Sequence, residues 1–311
     1  MTITKNSKFL PYLALAAVCI LWGTTYLALR IGVLAFPAFL FSALRQVLAG
    51  GLLVSILVLA FKIKLPKWDA MLTQAIGGFF LITIGNGLVG WAELVVPSGV
   101  AAIICSIMPV WLILINMIVA QDERPTFPII LGLIIGLSGI VIIFGEHIAD
   151  FSRPEYIFGI VTIFVANIGW ALGSVWMKRK NHSSNAFMNA GLQMFFGGLY
   201  LVPISLIFDD YTHLQWSGEA VYSLIYLIIF GSIAAYTAYS YALKKLPITI
   251  VSLYAYVNPI VAVVLGWLVL GEKLNAQVWI AIAITIAGIY IVNKGYQLRN
   301  IWKAQFTSDK I

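Results

Sequence analysis

The sequence predicts an all-α integral membrane protein of ten transmembrane helices, arranged as two inverted five-helix repeats. Three observations predict it. Apolar runs long enough to cross a bilayer recur along the whole chain. Shifted by 148 to 150 residues, the first half lies on the second: Trp22 falls on Trp170, Arg45 on Gln193, Gly50 on Gly198, Pro97 on Pro247, Pro109 on Pro259 and Asp122 on Glu272. The basic residues alternate from side to side in step with the runs.

Composition sets the class. Of 311 residues, 61% are hydrophobic and only 10% charged, and the mean hydropathy is +0.97. A soluble surface needs about 25% charged residues. Ten runs are predicted, at 10–29, 38–60, 70–91, 97–119, 127–145, 156–177, 187–207, 220–242, 248–270 and 277–293. They leave no stretch for a soluble domain. The first repeat covers 10–145, the second 156–293, and 294–311 forms a basic tail. An odd number of spans per repeat forces the copies into opposite orientations, the usual architecture for moving a solute across a membrane.

The net charge of +7 invites a nucleic-acid reading, and its distribution argues against one. With the N-terminus inside, Lys5, Lys8, Lys62, Lys64, Lys67, Arg124, Lys178, Arg179, Lys180, Lys244, Lys245, Lys294, Arg299, Lys303 and Lys310 all fall inside. Only Arg30, Arg153 and Lys273 fall outside, and Arg45 alone lies within a span. This bias puts both termini in the cytoplasm, with the bilayer as the chain's permanent partner.

Element by element, the first span contains Trp22, Thr24, Thr25 and Tyr26. It is about 20 residues long and no small-residue cleavage site follows it, so it reads as a retained helix rather than a signal peptide. The second span enters after Pro37 and carries Arg45 about 8 residues in, roughly 12 Å deep. A charge there costs at least about 2.5–3.5 kcal/mol against lipid, so Arg45 is expected to face the bundle interior. Three roles stand open for it: tying helices together, gating, or clamping an anionic group of a solute. Its repeat mate Gln193 is neutral, which makes the interior electrically asymmetric.

The third span carries Asn86 among glycines, then Trp91, and ends at Glu93. Glu93 is read as a partner for Arg45, a proton-coupling carboxylate, or a loop acid in water. Pro109 in the fourth span and Pro259 in the ninth occupy matching places. A mid-helix proline removes a hydrogen bond and bends the helix, so a paired kink is expected, freeing the carbonyls of Cys105 and Ala255. Gly132 with Gly136, Gly231 with Ala235, and Ala283 with Ala287 read as packing seams.

The connector Glu146–Glu155 is polar and lies outside. Trp170, Gly173 and Ser174 interrupt the sixth span, and Tyr236, Tyr239 and Tyr241 crowd the eighth. Tyr254 and Asn258 are four apart in the ninth and share a face. Aromatic walls with a few polar anchors suit amphipathic organic solutes. The tail, with Tyr296, Ile301 and Trp302 beside Lys294, Arg299 and Lys303, reads as a helix lying on the anionic inner leaflet. Cys19 and Cys105 read as packing residues.

Enzymatic chemistry finds no support. His147, His182 and His213 all fall in loops, no cluster has metal-ligand spacing, and no phosphate-binding loop motif occurs, so no cofactor is implied. No intramembrane carboxylate pair is available for hydrolysis.

The run Ser252–Leu274 (SLYAYVNPIVAVVLGWLVLGEKL), followed by AIAITIAGIYIV, resembles the closing signature of EamA domains of the drug/metabolite transporter superfamily. Val96–Ala102 through Met108–Trp111 supply a weaker first copy. Trp22–Gly23 and Arg45 also match the family pattern, and Ala92–Ala102 is similar to the YedA-type subset of bacterial inner-membrane proteins. The resemblance covers nearly the whole chain. It implies two inverted EamA repeats around a central cavity and secondary transport, with export of amino acids or related metabolites expected. The first copy reads Gln121-Asp122-Glu123 where the second reads Gly271-Glu272, so the two loop acids need not share one role. An uncoupled channel-like facilitator and a structural or sensory membrane protein are the competing readings.

Overall fold

The computed structural model describes residues 9–96, 98–119, 125–143, 154–180, 185–270 and 276–308. Lys5, Lys8, Pro97, Gln121–Arg124, His147, Asp150, Arg153, His182, Gly271–Lys273 and Lys310 lie outside the described residues. Among the described residues every regular element is helical.

Helices α1 (Phe9–Ala35) and α2 (Ala38–Leu59) open the chain. The third run is composite: α3 (Trp68–Gly78), a π-helical stretch Phe79–Gly87, and α4 (Leu88–Ala92). Then come α5 (Ser98–Cys105), α6 (Met108–Val119) and α7 (Phe127–Ile143). The second half repeats the order with α8 (Pro154–Lys180), α9 (Ala186–Phe208), α10 (Gly218–Tyr226), a π-helical stretch Leu227–Ala234 and α11 (Ala235–Lys245). It closes with α12 (Ile248–Val251), α13 (Tyr254–Leu270) and α14 (Ala276–Ser308).

Among the described residues, seven helical segments are long and apolar enough to cross a membrane, and three shorter apolar helices accompany them. Large apolar side chains such as Leu27, Leu52, Ile118, Ile134, Ile207 and Ile286 point outward. In water so much exposed apolar surface would drive association; in a bilayer it is the solvated face.

The fourth and ninth runs are both broken, but not at the prolines and not at matching places. Ser106 and Ile107 separate α5 from α6, and Ser252 and Leu253 separate α12 from α13. Shifted by 150, the first break falls on Tyr256 and Val257, one helical turn beyond the second. Pro109 occupies the first turn of α6, where a missing N–H leaves no bond unmade. Pro259 sits inside the unbroken α13 and frees the Ala255 carbonyl. Ser106 Oγ lies 3.0 Å from that carbonyl and 2.9 Å from Ala102 O, so one hydroxyl proton serves both. The expected paired kink is therefore replaced by two unlike devices, and the break of one half satisfies the proline of the other.

Two pairs of corresponding helices from the two halves, α2 with α9 and α7 with α14, pack along each other antiparallel. In the α2–α9 pair, a methyl at Gly50 would come within 2.4 Å of Phe195 N, and one at Gly198 within 2.7 Å of Val47 N. Phe39 and Ala43 cluster with Leu201, further along the same diagonal. In the α7–α14 pair, Gly136 meets Gly288, and a methyl at Gly139 would meet Thr285 Oγ1 at 2.3 Å. Each contact has a partner related by the 148–149 shift, so both seams are self-complementary. Backbones approach this closely only where side chains are absent, and dispersion between them holds the pair together in lipid.

The predicted seams need one correction. Gly132 and Gly136 do face α14, but Ala283 and Ala287 are exposed on the other side of it. The α14 side of the seam is Ala281, Thr285, Gly288 and Val292. A spacing of four is met by more than one stripe of a helix, and composition alone does not choose the buried one. No break separates the tail from the tenth run: α14 continues through Ser308. The predicted separate surface helix is an extension of that helix.

A cross-half cap fixes the start of α2. The Asp209 carboxylate, at the end of α9, accepts from Leu40 N at 2.8 Å and Phe39 N at 3.2 Å, and Ser205 Oγ donates to it at 2.7 Å. A negative group over free amides at a helix N-terminus is favourable on both hydrogen-bond and dipole grounds.

Candidate functional site

The interior of the bundle holds a cavity of about 80 Å³ whose wall draws on both halves. Trp22, Arg45, Asn86 and Cys105 come from the first half; Asn167, Trp170, Tyr254 and Asn258 come from the second. Of the side chains singled out from the sequence, Trp22, Thr25, Tyr26, Arg45, Asn86, Trp170, Tyr254 and Asn258 line it. Glu93, Gln193 and Tyr239 do not. A larger space of about 640 Å³ lies beside Phe80, Trp176, Arg179 and Lys180, and none of the candidate side chains above lines it.

The π-helical stretches shape the wall. Irregular turns of this kind recur at functional sites because they displace backbone from the ordinary helical register. Gly85 and Asn86, in the first stretch, face the cavity directly. A methyl at Gly85 would come within 2.8 Å of the Trp170 ring, so only glycine lets that indole reach the wall. In the second stretch, the Gly231 carbonyl accepts from Trp22 Nε1 at 3.0 Å, and Ser232 Oγ accepts from Arg45 Nε at 2.9 Å. Gly231, expected as a packing seam, thus stands beside the buried guanidinium.

Arg45 is only 3% exposed. Its Nε is fixed by Ser232, and its guanidinium forms part of the cavity wall. Neighbouring Gln46 donates to Asn86 Oδ1 at 3.3 Å, holding the amide in place. From the ninth run, the Asn258 amide nitrogen, assigned by its surroundings, donates to Cys19 O and Tyr254 O, both at 3.0 Å.

Glu93 caps the end of α4 and is 0% exposed, which excludes the loop-acid reading. Neither carboxylate oxygen has a hydrogen-bond partner among the described residues. The charges that act on it are the guanidinium groups of Arg30 and Arg45, and Arg45 feels it in turn. Tyr26 and Cys105, both on the cavity wall, also lie within its electrostatic reach.

One side of the cavity is closed by a cluster of aromatic rings. Trp22 and Trp170, repeat mates, meet edge to face with centroids 5.3 Å apart. Tyr254 stands edge-on to Trp22 at 4.9 Å. Tyr239 packs behind all three, at 5.2 Å from Trp22, 5.5 Å from Trp170 and 5.7 Å from Tyr254. Its hydroxyl pairs with Ser174 at 2.6 Å. Beyond the rings lies a second space of about 10 Å³ lined by Gln193, Tyr239, Ser240, Leu243 and Lys244. Gln193 is tied there by Gln74 at 2.7 Å and Tyr236 at 2.6 Å. Arg45 and its repeat mate therefore sit on opposite sides of an aromatic partition.

Sequence reasoning missed Asn167, which lines the cavity and donates to Ile104 O at 3.0 Å, satisfying a carbonyl next to the α5–α6 break. A lone amide in an apolar run was the available signal. It also missed Ser232, for which no local signal exists.

The chain matches the EamA-like transporter family over residues 9–145 and again over 157–294. It is 33% identical over 287 residues to the uncharacterized inner membrane transporter YedA of Escherichia coli K12, covering 92% of this chain and 91% of that one. It is 24% identical over 291 residues to the uncharacterized transporter YoaV of Bacillus subtilis strain 168, covering 93% and 98%. A crystal structure at 21% identity superposes with a TM-score of 0.73 over 91% of this chain and 96% of its own, which speaks to the fold alone. Similarity to the family spans nearly the whole sequence and falls twice along it: this chain belongs to the EamA-like transporter family.

Proposed function

We propose that the chain is a secondary transporter of the inner membrane that moves small amphipathic metabolites, amino acids or related compounds, by alternating access, with export the favoured direction. In this reading ten spans form two inverted halves, 10–145 and 156–293, with both termini and the tail 294–311 cytoplasmic. The observation that carries it is the cavity between the halves, sealed on one side by Trp22, Trp170, Tyr239 and Tyr254. The antiparallel, self-complementary seams between corresponding helices support the inversion.

The cavity's chemistry supports an amphipathic solute. Indole and phenol faces offer apolar contact, Asn86, Asn167 and Asn258 offer directional bonds, and the guanidinium of Arg45 suits a carboxylate or similar anionic group. About 80 Å³ is well below the roughly 300–1,000 Å³ of typical ligand sites. Admitting a metabolite therefore requires the walls to part, which separates this reading from a rigid pore. Glu93, buried without a hydrogen-bond partner, is the group we assign to proton coupling.

The test is transport into and out of proteoliposomes holding the purified chain, with labelled amino acids, aromatic cations and a broad metabolite mix. Solute-specific flux above that of empty vesicles is expected. The proposal falls if nothing in the mix moves faster than in empty vesicles. Flux indifferent to proton and sodium gradients would favour the uncoupled facilitator. Normal function of Arg45→Ala in a stable complex with a partner would favour a structural or sensory protein.

A further inference from the structure

Two cations make the same pair of bonds at two corresponding places. Arg30 Nη1 donates to Glu93 O at 2.6 Å and to Val96 O at 2.8 Å. Lys178 Nζ donates to Leu243 O at 2.7 Å and to Leu246 O at 2.5 Å. A shift of 148 carries Arg30 onto Lys178. A shift of 150 carries Glu93 onto Leu243 and Val96 onto Leu246. The donor and both acceptors correspond, although neither the cation nor the acceptor side chains are the same residue types.

The two places are at opposite ends of the bundle. Arg30 is near the C-terminus of α1, which leads into the N-terminus of α2; Lys178 is near the C-terminus of α8, which leads into the N-terminus of α9. Because α2 and α9 run antiparallel, those N-termini lie at opposite ends. In each half the cation bonds carbonyls at the close of the third run, just before the fourth begins. Glu93 and Leu246 cap the ends of α4 and α11, Leu243 is in the last turn of α11, and Val96 lies in the turn beyond α4; carbonyls at a helix end and in the turn after it lack an intrahelical partner and favour a positive charge.

Each contact also stands at the end of one of the two spaces. Leu29 and Val89, adjacent to the Arg30 contact, line the central cavity. Leu243 and Met177, at the Lys178 contact, line the second space beyond the aromatic partition. The run that carries each cation, and the fourth run that follows its acceptors, also supply cavity-lining side chains: Trp22 and Cys105 in one half, Trp170 and Tyr254 in the other.

We propose that Arg30 and Lys178 are paired gating clasps, each pinning the third-to-fourth-run turn against the first helix at its own end and released in turn as that end opens. This rests on the alternating-access reading. Backbone carbonyls as acceptors make the device insensitive to side-chain divergence, which is how the halves keep it while Glu93 and Leu243 differ. Both clasps are made in this structure, consistent with a cavity too small for a metabolite.

Cys105, on the central cavity wall, is the reporter. In a Cys19→Ala background, reconstituted protein is treated with a membrane-impermeant maleimide applied to one face at a time. Arg30→Gln is expected to raise labelling from the Arg30 face relative to the Lys178 face by about tenfold, the worth of one charge-assisted contact. Lys178→Gln is expected to lower the same ratio. The opposite signs are what helix capping alone does not produce. Should a Gln variant fail to fold, Arg30→Lys weakens one clasp and Lys178→Arg strengthens the other, and both are expected to raise the ratio. Ratios unchanged, or moved together by the two Gln variants, would overturn the proposal, as would Cys105 unlabelled from both faces in every variant. Solute flux in the same vesicles separates the failures: absent flux with opposite ratio shifts sinks the transport reading and leaves the clasps standing.

Discussion

Arg45 Nε donates to Ser232 Oγ at 2.9 Å, so a buried cation of the first half is aimed by a hydroxyl of the second. With its Nε so held, Arg45 lines the cavity. Ser232→Ala keeps the charge and loses the aim. Its expected effect on initial transport rates is a several-fold rise in KM with kcat little changed. Arg45→Gln removes the charge and is expected to lower kcat/KM by tenfold or more, about 1.4 kcal/mol. Arg45→Lys separates clamp from charge: a fall close to that of Gln marks bidentate binding, and wild-type kinetics count against it.

Glu93→Gln is nearly isosteric and keeps the buried site neutral at every pH. The expected result is a protein of normal melting temperature that still exchanges solute across the membrane but no longer accumulates it against a gradient when driven by a pH difference. Gradient-driven accumulation equal to that of the unaltered chain would remove Glu93 from coupling.

Asp209→Ala removes the carboxylate that holds Phe39 N, Leu40 N and Ser205 Oγ. The loss of a cap is worth about 1 kcal/mol. A fall of a few degrees in the melting temperature in detergent is expected, with Asp209→Asn falling less because the amide oxygen still accepts.

Gly288→Leu is expected to abolish folded protein, because even a methyl there would stand 2.3 Å from Gly136 N. Ala283→Leu, five residues away on the exposed face of the same helix, is expected to leave yield and melting temperature unchanged. Size-exclusion profiles of the two variants make the comparison. Equal profiles would move the α7–α14 seam elsewhere.

Ser106→Ala strips the hydroxyl shared by Ala102 O and Ala255 O. The Ala255 carbonyl, freed by Pro259, then has no donor in an apolar setting. A cost of about 1–3 kcal/mol is expected, visible as a lower melting temperature that Ser106→Thr restores.

Much of the fold was legible because lipid leaves a chain few choices. A run of apolar residues must be helical to satisfy its own backbone, so Leu, Ile and Val content gave the helices directly. Arg45 was legible as an interior residue for the same reason, since a charge at that depth finds no place in lipid. Trp22, Trp170, Tyr254 and Asn258 stood out as aromatic or polar interruptions, and they meet at the cavity. The failures have one cause. Ala283 and Ala287 matched the spacing of a seam but not its direction, and Glu93 read equally well as a wet loop acid. Periodicity tells which residues share a face; it does not tell what that face meets.

The sequence by itself determined that this is a helical membrane protein built from a duplicated unit of the EamA-like transporter family. Those properties depend on composition, period and order, which are local or additive. Only the tertiary structure decided the rest: Trp22 against its mate Trp170, Arg45 and Gln193 on opposite sides of the rings, and Ser106 serving a carbonyl that Pro259 frees 149 residues away. The physical reason is that a hydrogen bond or a ring contact depends on position to within an ångström, and position is set by how helices pack rather than by the residues of any one of them.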